Sequence, residues 1–345
     1  MKNVCSEFYR PSISPDRWNE NMPVPDVVNV EWLAKNKASF FTFDRICSYI
    51  RKCQKLTDTR MPQSYVSEHI PGAALFNIDA AYCPSKHIRF DLYPPEEFEK
   101  FIRLLGVNTA DHVVLYGRGP CAGMLWPARA WWTFKAGHNL YGHDKVSVLD
   151  GGLDSWKEAG QPVTNDVVVV TPGHWTAKSI DHTRLITFEE LDKKNEVGTP
   201  LLKDLQKINY IDARPAAQYN GTETTGAVSG HLEGSKNVPL SLVISEKGMK
   251  TKDEIKQVLK SAGYEGTLPT VSACGLGVQA SLLALTLSHV GIESRVYNGS
   301  MSEICSRAPD LVSQAVIQFY LGTEFMKTEF MKIARNKQDL GHVAA

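Results

Sequence analysis

A duplicated pattern in the amino-acid sequence limits the folds that are open to the chain. The segments SEHIPGAALFNID (67–79) and SGHLEGSKNVPL (229–240) both read S-x-H-[IL]-x-G before a short hydrophobic stretch. Four further landmarks recur in the same order in both copies, at offsets of 148 to 168 residues. In the first copy and the second copy respectively, they are a strand ending in Asp44 and in Asp212, a helix ending in LLGV and in SAGY, a β-rich run, and a strand–turn at 146–156 and at 294–304. Five landmarks in register indicate a tandem duplication.

Each copy alternates short apolar segments with amphipathic ones. HVVLY and KVSVLD are continuous apolar runs, which are typical of parallel strands covered on both faces. PPEEFEKFIRLLG begins with two prolines, ends in glycine and has apolar residues at 98, 101, 102, 104 and 105, which predicts a helix. The predicted fold is therefore α/β, with two tandem domains that are each a small, mostly parallel sheet flanked by helices.

The order of the landmarks also predicts the domain boundaries. We expect the first domain at residues 26–163, a linker at 164–181, the second domain at 182–308 and a helical tail at 309–345. The stretch from 160 to 181 contains two prolines, and the tail has no counterpart in the first copy.

The composition excludes several classes of protein. The formal net charge is zero, so no global electrostatic attraction to nucleic acid or to an anionic membrane is expected. No apolar run reaches the roughly 18–20 residues that span a bilayer. The first residues show no apolar signal-peptide core and too little arginine for a clear mitochondrial presequence. We expect a cytoplasmic protein, with a mitochondrial location as the alternative.

The seven cysteines do not predict a disulfide framework or a metal site. They lie at positions 5, 47, 53, 83, 121, 274 and 305, with no CxxC pair and with no two at zinc-ligand spacing. We therefore expect free thiols and no metal. Most of them are of the kind that fills protein cores, and this is the ordinary interpretation that any special role for Cys274 has to overcome.

Cys274 follows the strand TVSA and precedes the helix pattern VQASLLALTLSHV. Gly275 and Gly277 allow the backbone to turn tightly, so that successive N–H groups can point at one anion at the positive end of the helix. A thiolate is stabilised in such a loop and can attack an electrophilic sulfur. In the first copy, YGRGPCAGML is longer and places Tyr116 and Gly117 where the second copy has Ala273 and Cys274. This difference favours the second copy as the active one.

The chain resembles the tandem rhodanese-type sulfurtransferases, and the mercaptopyruvate branch more than the thiosulfate branch. The resemblance spans residues 40 to 308 approximately and is carried by HIPGA with FNID, RAWWTFKAGH, SVLDGGLDSW, YIDAR, GHLEGSKNVP and CGLGV. It implies an enzyme that needs no cofactor. Its second-domain cysteine, matched here by Cys274, takes sulfane sulfur from thiosulfate or 3-mercaptopyruvate, forms a persulfide and passes the sulfur to a thiol or to cyanide.

The sequence departs from that family in the loop that is expected to bind an anion, residues 274–279. The mercaptopyruvate branch reads C-G-S-G-V-T, whereas this chain has Cys274-Gly275-Leu276-Gly277-Val278-Gln279. Leu276 replaces a serine that in the family relays protons between the cysteine and an aspartate, which is matched by Asp79. The family also binds the substrate carboxylate with two arginines, and the matching positions are Gln218 and Ala227. Thiosulfate-type loops place Arg and Lys after the cysteine, where this chain has Gly275 and Leu276.

Three polar residues of the second domain are candidates to replace the missing arginines. Each has a structural alternative: Arg214 as an ion-pair partner inside the fold, His231 as a turn residue bonded to backbone, and Lys236 as a solvated surface charge. The expected partners are a small-molecule sulfur donor and a thiol or cyanide acceptor, with no nucleic acid and no membrane.

Two other functions compete with sulfur transfer. A silent rhodanese-like binding or regulatory protein is favoured by the missing arginines and serine. A cysteine-dependent phosphatase also places its cysteine in a loop whose N–H groups bind an anion. It requires an arginine six residues after the cysteine and a histidine before it, where this chain has Ala280 and Ala273. The phosphatase hypothesis is therefore weak.

Overall fold

The computed structural model describes residues 24–36, 39–43, 63–135, 141–180, 182–223 and 229–312. Within these residues the chain forms two α/β domains with the same strand order. The expected α/β fold with parallel sheets is confirmed. Asp44 and the part of the predicted tail beyond residue 312 lie outside the described residues, and Pro309–Leu311 forms a short 3-10 helix.

Each domain is built on a five-stranded sheet. The strands are β1 (Val27–Val28), β2 (Ser39–Phe43), β3 (Ala74–Leu75), β4 (Val113–Gly117), β5 (Val146–Leu149), β6 (Leu185–Ile186), β7 (Asn209–Asp212), β8 (Lys236–Asn237), β9 (Ile244–Ser245), β10 (Gly248–Met249), β11 (Thr270–Ala273) and β12 (Arg295–Tyr297). The first sheet has the order β1-β5-β4-β2-β3 and the second β6-β12-β11-β7-β8. All neighbours in both sheets are parallel, and β9 and β10 form an antiparallel hairpin.

Helices cover the faces of these sheets. They are α1 (Val30–Lys35), α2 (Gln63–Ser67), α3 (Pro95–Leu104), α4 (Leu125–Lys135), α5 (Gly152–Glu158), α6 (Phe188–Asp192), α7 (Ala216–Tyr219), α8 (Leu240–Val243), α9 (Lys252–Ser261), α10 (Val278–His289) and α11 (Ser300–Arg307). None of the helices within the described residues combines the length and the apolar character that crossing a membrane requires.

Local sequence explains where several of these elements begin. Pro95 is the first residue of α3, as the sequence predicts, because proline is preorganised for that position. Thr251 and Glu254 form a capping box at the start of α9, in which each side chain accepts a hydrogen bond from the other residue's backbone N–H. The strand β4 is buried at every position, in agreement with its continuous apolar sequence.

The predicted linker is anchored to the first domain along much of its length. His69 and Thr164 pair through their backbones, and the indole of Trp175 is fully buried in the first domain's core. The Trp175 Nε1–H donates to Nδ1 of His143 at 3.1 Å, so the remaining ring nitrogen of His143 carries the proton that is donated to the Asp111 carbonyl at 2.9 Å. Burial lowers the pKa of His143 to about 4.

The two domains meet along a seam in which α4 of the first domain packs against α10 of the second. The indole N–H of Trp132 on α4 donates to the Arg184 carbonyl, at the entry to the second domain, at 3.2 Å. Reciprocal contacts flank the helix pair. The Asn298 amide donates to the Phe90 carbonyl at 3.1 Å, and its counterpart Asp150 accepts from the Met249 N–H at 2.8 Å. The duplicated halves therefore associate through matching surfaces.

Candidate functional site

Cys274 lies where the sequence predicts, directly after β11 and before α10. Gly277 is the N-cap of α10 with φ +85°, in the left-handed region that glycine adopts without a steric penalty. The loop between them is held from outside, because the Cys274 carbonyl accepts from the Met301 N–H and the Gly275 carbonyl from the Ser302 N–H, each at 3.0 Å. The start of α11 thus fixes the backbone of this loop.

The sulfur of Cys274 faces the donors that stabilise a thiolate. The Gly277 N–H donates to Sγ with an N–S distance of 3.1 Å, and Sγ lies at the amino end of the twelve-residue helix α10. The Cys274 N–H donates to the hydroxyl of Ser300 at 3.1 Å, and the Ser300 oxygen is 3.9 Å from Sγ. Cys274 is only 1% exposed, whereas Gly275 and Leu276, which follow it, are more exposed.

Arg214 is held by an ion pair inside the fold. Its guanidinium donates to both carboxylate oxygens of Asp212, at 2.6 to 3.0 Å, and to the Gly230 carbonyl at 2.7 Å. Burial opposes its charge, but the hydrogen bond and the charge of Asp212 outweigh burial, and the pKa of Arg214 is raised. Cys274 is near enough to contribute to that shift. These contacts agree with the role of Arg214 as an ion-pair partner inside the fold. Its interaction with Cys274 is through its charge.

The carboxylate-binding position of the family carries a different kind of contact here. Gln218 lies on α7, next to the carboxyl end of β7, and its amide donates to the Glu223 carboxylate at 3.5 Å. The other position, Ala227, is outside the described residues. Leu276 projects from the loop with 36% of its surface exposed, whereas Val278 is buried and Gln279 half-buried. The described rim is therefore neutral to acidic where the family carries arginine.

His231 has the same structural role as its counterpart in the first copy. Its Nδ1 bonds to the carbonyl of Tyr219 at 2.9 Å and its ring stacks on Tyr219 at 4.1 Å. In the first domain His69 bonds to the Tyr65 carbonyl at 2.8 Å and stacks on that ring at 4.1 Å. Because a domain without the strand-end thiol keeps the same arrangement, these contacts favour the turn role of His231 over substrate binding.

Lys236 is directed away from Cys274. It lies on the edge strand β8, and a Cβ built on Gly263 would lie 3.8 Å from its Cε. Gly263 follows the carboxyl end of α9, which lies toward the amino ends of the strands, whereas Cys274 lies at their carboxyl ends. The position of Lys236 therefore gives no support to a substrate contact.

Asp79 belongs to a chain of side chains that leads to the domain seam. It lies on a short 3-10 helix and accepts from the Tyr82 hydroxyl at 3.2 Å. The Tyr82 ring packs edge-on against Phe90 at 4.7 Å, and the Phe90 carbonyl accepts from Asn298 in the second domain. Asp79 is thus linked to the seam through aromatic contacts.

The corresponding loop of the first domain has another shape. Cys121 and Ala122 have φ +56° and +53°, a left-handed conformation that is uncommon for residues other than glycine. A Cβ on Gly152, the counterpart of Ser300, would lie 2.4 Å from the Gly117 carbonyl oxygen. Burial raises the pKa of the Cys121 thiol. This loop therefore lacks both the strand-end thiol and the serine that the second domain brings together.

Two residues at the site were missed by reasoning from the sequence. Ser300 adopts φ +50° to bring its hydroxyl to Cys274, and its signal was a serine aligned with Gly152 of the first copy. Arg129 of the first domain, whose signal was a single charge within LWPARAWWTF, donates to the Gly277 carbonyl at 3.4 Å. In the described part of the chain, no cluster of three His, Cys, Asp or Glu side chains could hold a metal ion.

Comparisons with known proteins identify the family of the chain. A family model of the rhodanese-like domain matches residues 48–159 and 198–307. The chain is 36% identical to the thiosulfate sulfurtransferase of Gallus gallus, over 72% of this chain and 82% of that protein. It is 31% identical to the 3-mercaptopyruvate sulfurtransferase of Escherichia coli, over 73% and 85%.

A solved structure extends the match to three dimensions. The crystal structure of SseA from Escherichia coli, described as a 3-mercaptopyruvate sulfotransferase with the rhodanese fold, superimposes with a TM-score of 0.65 and 27% sequence identity. The match covers 80% of this chain and 99% of that one. With two matched domains and relatives that are sulfurtransferases, the chain belongs to the rhodanese family of sulfurtransferases.

Proposed function

We propose that this sulfurtransferase carries sulfane sulfur from thiosulfate or 3-mercaptopyruvate to a thiol or to cyanide through a persulfide on Cys274. The observation that carries the proposal is the N–H of Gly277 directed at Sγ, at the amino end of α10. The same donor can hold the persulfide, which is also an anion. The cytoplasmic location and the absence of a nucleic-acid partner stay predictions from the sequence.

The proposed chemistry consists of two displacement steps. The Cys274 thiolate attacks the outer sulfur of thiosulfate, the S–S bond of thiosulfate breaks, and sulfite leaves with the bonding electron pair. With 3-mercaptopyruvate the C–S bond breaks instead, and the carbon that receives the electron pair takes up the thiol proton to give pyruvate. An acceptor thiolate or cyanide then attacks the outer sulfur of the persulfide and regenerates the Cys274 thiolate.

The rim of the site supports a donor preference shifted away from carboxylates. An Arg–carboxylate contact contributes about 1.5–3 kcal/mol, and each 1.4 kcal/mol is about tenfold in binding. Gln218 with Glu223 supplies no such contact. Thiosulfate carries no carboxylate and does not use that contact. The loop also lacks the Arg and Lys of thiosulfate-type loops, but the Gly277 N–H still faces the sulfur that thiosulfate would load. We therefore expect thiosulfate to load Cys274 more effectively than 3-mercaptopyruvate.

The test is the intact mass of the purified chain after incubation with each donor. The expected result is a gain of one sulfur atom with thiosulfate and a smaller fraction with 3-mercaptopyruvate. The gain should be absent from a Cys274→Ser variant and retained in a matched Cys305→Ser variant, since Cys305 is a buried thiol on α11. Adding cyanide should remove the sulfur from the loaded chain.

A silent binding protein is the second candidate, favoured by the 1% exposure of Cys274 and by Leu276 and Gln218 at family substrate positions. Failure of both donors to load Cys274 would reject the sulfurtransferase proposal for this chain and leave the binding protein. A phosphate-ester assay on the same sample should show no turnover, because Ala280 stands where a phosphatase needs arginine.

A further inference from the structure

Arg129 is a buried charge in the seam between the two domains. It lies on α4 of the first domain and is 4% exposed. Its guanidinium donates to the Asn298 side-chain oxygen at 2.7 Å and to the Gly277 carbonyl at 3.4 Å, both in the second domain. It also donates to the Phe90 carbonyl at 2.5 Å, and it lies over the Trp132 ring at 4.5 Å from the centroid. One side chain thus connects both domains at the catalytic loop.

The acceptors that hold Arg129 are uncharged: two peptide carbonyls and one amide oxygen. Burying a cation without a hydrogen-bonded carboxylate is costly, so its presence calls for a compensating anion. Burial lowers the pKa of Arg129 to about 10, and the anions that oppose this shift are Cys274 first, followed by Asp91 and Tyr141. Arg129 therefore remains charged at neutral pH, and Cys274, when ionised, is the strongest of the three anions that act on it.

The Arg129 contacts also fix the geometry of the sulfur's donor. A Cβ on Gly277 would lie 2.4 Å from the Asn298 carbonyl oxygen, so these two residues are in close contact. Arg129 bonds to both of them from the first domain. Since the N–H of Gly277 is the group that points at Sγ, holding Gly277 in place also holds this donor on the sulfur.

We propose that Arg129 is a positioning residue, supplied by the domain that lacks the strand-end thiol, which orients the Gly277 N–H toward the sulfur and places a buried positive charge beside the thiolate and the persulfide. The persulfide part of this inference rests on the proposed function. The first domain thereby contributes one part of the second domain's site.

The experiment compares Arg129→Met, Arg129→Lys and a control, Arg118→Met. Arg118 is a first-domain arginine that pairs with Glu68. The readouts are the rate of Cys274 alkylation by iodoacetamide as a function of pH, followed on the Cys274 peptide, and the rate of sulfur loading from thiosulfate. Arg214, which is paired with Asp212, also interacts with this sulfur through its charge, and both residues stay unchanged in the variants. Burial raises the pKa of the nearby Tyr210 well above its usual value, so this side chain stays neutral.

We expect Arg129→Met to move the alkylation midpoint up by about one pH unit and to slow sulfur loading about tenfold or more at neutral pH. Arg129→Lys keeps the charge without the forked geometry, so its midpoint should stay near wild type while loading slows. Arg118→Met should change neither readout. A folded Arg129→Met chain with the wild-type midpoint and loading rate would overturn the proposal.

The experiment distinguishes failure of this inference from misfolding of the variant and from failure of the proposed function. If circular dichroism shows that Arg129→Met does not fold, Arg129→Lys decides, and a wild-type loading rate in that variant rejects the positioning role. If wild-type Cys274 takes no sulfur from either donor, the sulfurtransferase proposal fails. The alkylation profiles would still support or reject the action of Arg129 on the thiolate.

Discussion

Replacing Gly277 by alanine should separate two costs that a left-handed glycine avoids. Gly277 and Gly291 flank the same helix, α10, with φ +85° and +83°. A Cβ at Gly291 has nothing within 4 Å, so Gly291→Ala adds only the left-handed strain of about 1–2 kcal/mol. At Gly277 the added Cβ would lie 2.4 Å and 2.6 Å from two oxygens of Asn298, which forces a shift that costs about 1–3 kcal/mol more.

The assay for this prediction combines stability with chemistry. Urea unfolding of wild type, Gly291→Ala and Gly277→Ala should place the Gly277 variant about 1–3 kcal/mol below the Gly291 variant. Sulfur loading of Cys274 should fall strongly only in Gly277→Ala, because the displaced backbone carries the N–H that points at Sγ. Equal destabilisation of the two variants, together with normal loading in both, would refute this account of the loop.

Three further predictions concern buried polar groups of the two domains and the rim of the site. Among the described residues, the buried Tyr210 hydroxyl has no hydrogen-bond partner, so Tyr210→Phe should raise the free energy of unfolding by about 1 kcal/mol. The control Tyr65→Phe loses a 2.8 Å hydrogen bond to the Ala73 carbonyl and should lower the free energy of unfolding by a similar amount, both measured by urea titration. Because the pKa of His143 is lowered to about 4, the unfolded chain binds more protons below pH 6.5; stability should therefore fall as pH drops from 6.5 toward 4, by about 3 kcal/mol at most, and this slope should disappear in His143→Gln. Gln218→Arg combined with Glu223→Gln should lower the KM for 3-mercaptopyruvate about tenfold and change the KM for thiosulfate less; equal changes for both donors would contradict the assignment of this rim to the carboxylate.

The sequence was sufficient for features that depend on local pattern or on the repeat. The strands β4 and β5, the helix α3 and the turn from β11 into α10 could be predicted because hydrophobic period, proline and glycine specify them within a few residues. The position of Cys274 at a strand end followed from the same pattern. The two-domain α/β fold followed from the order of the repeated landmarks.

The side chains around the thiol were harder to predict from the sequence, because they come from segments that are distant in the chain. Arg129 and Ser300 reach the loop from other elements, and no local spacing relates either of them to Cys274. For Arg214 and Lys236 the sequence did not specify the direction in which each side chain points. Both are basic residues of the second domain, but one turns inward to Asp212 and the other extends toward Gly263.

The reciprocal packing of α4 on α10 has a consequence for the history of the chain. An interface in which equivalent helices face each other is the kind that two identical copies form across a two-fold axis. In such a dimer any residue placed on one helix also appears on its mate. Covalent fusion removes that restriction: four residues beyond the first residue of each helix, α4 carries Arg129 and α10 carries Leu282. Joining the copies thus allowed one charge to serve one thiol without a second, unbalanced charge on the opposite side.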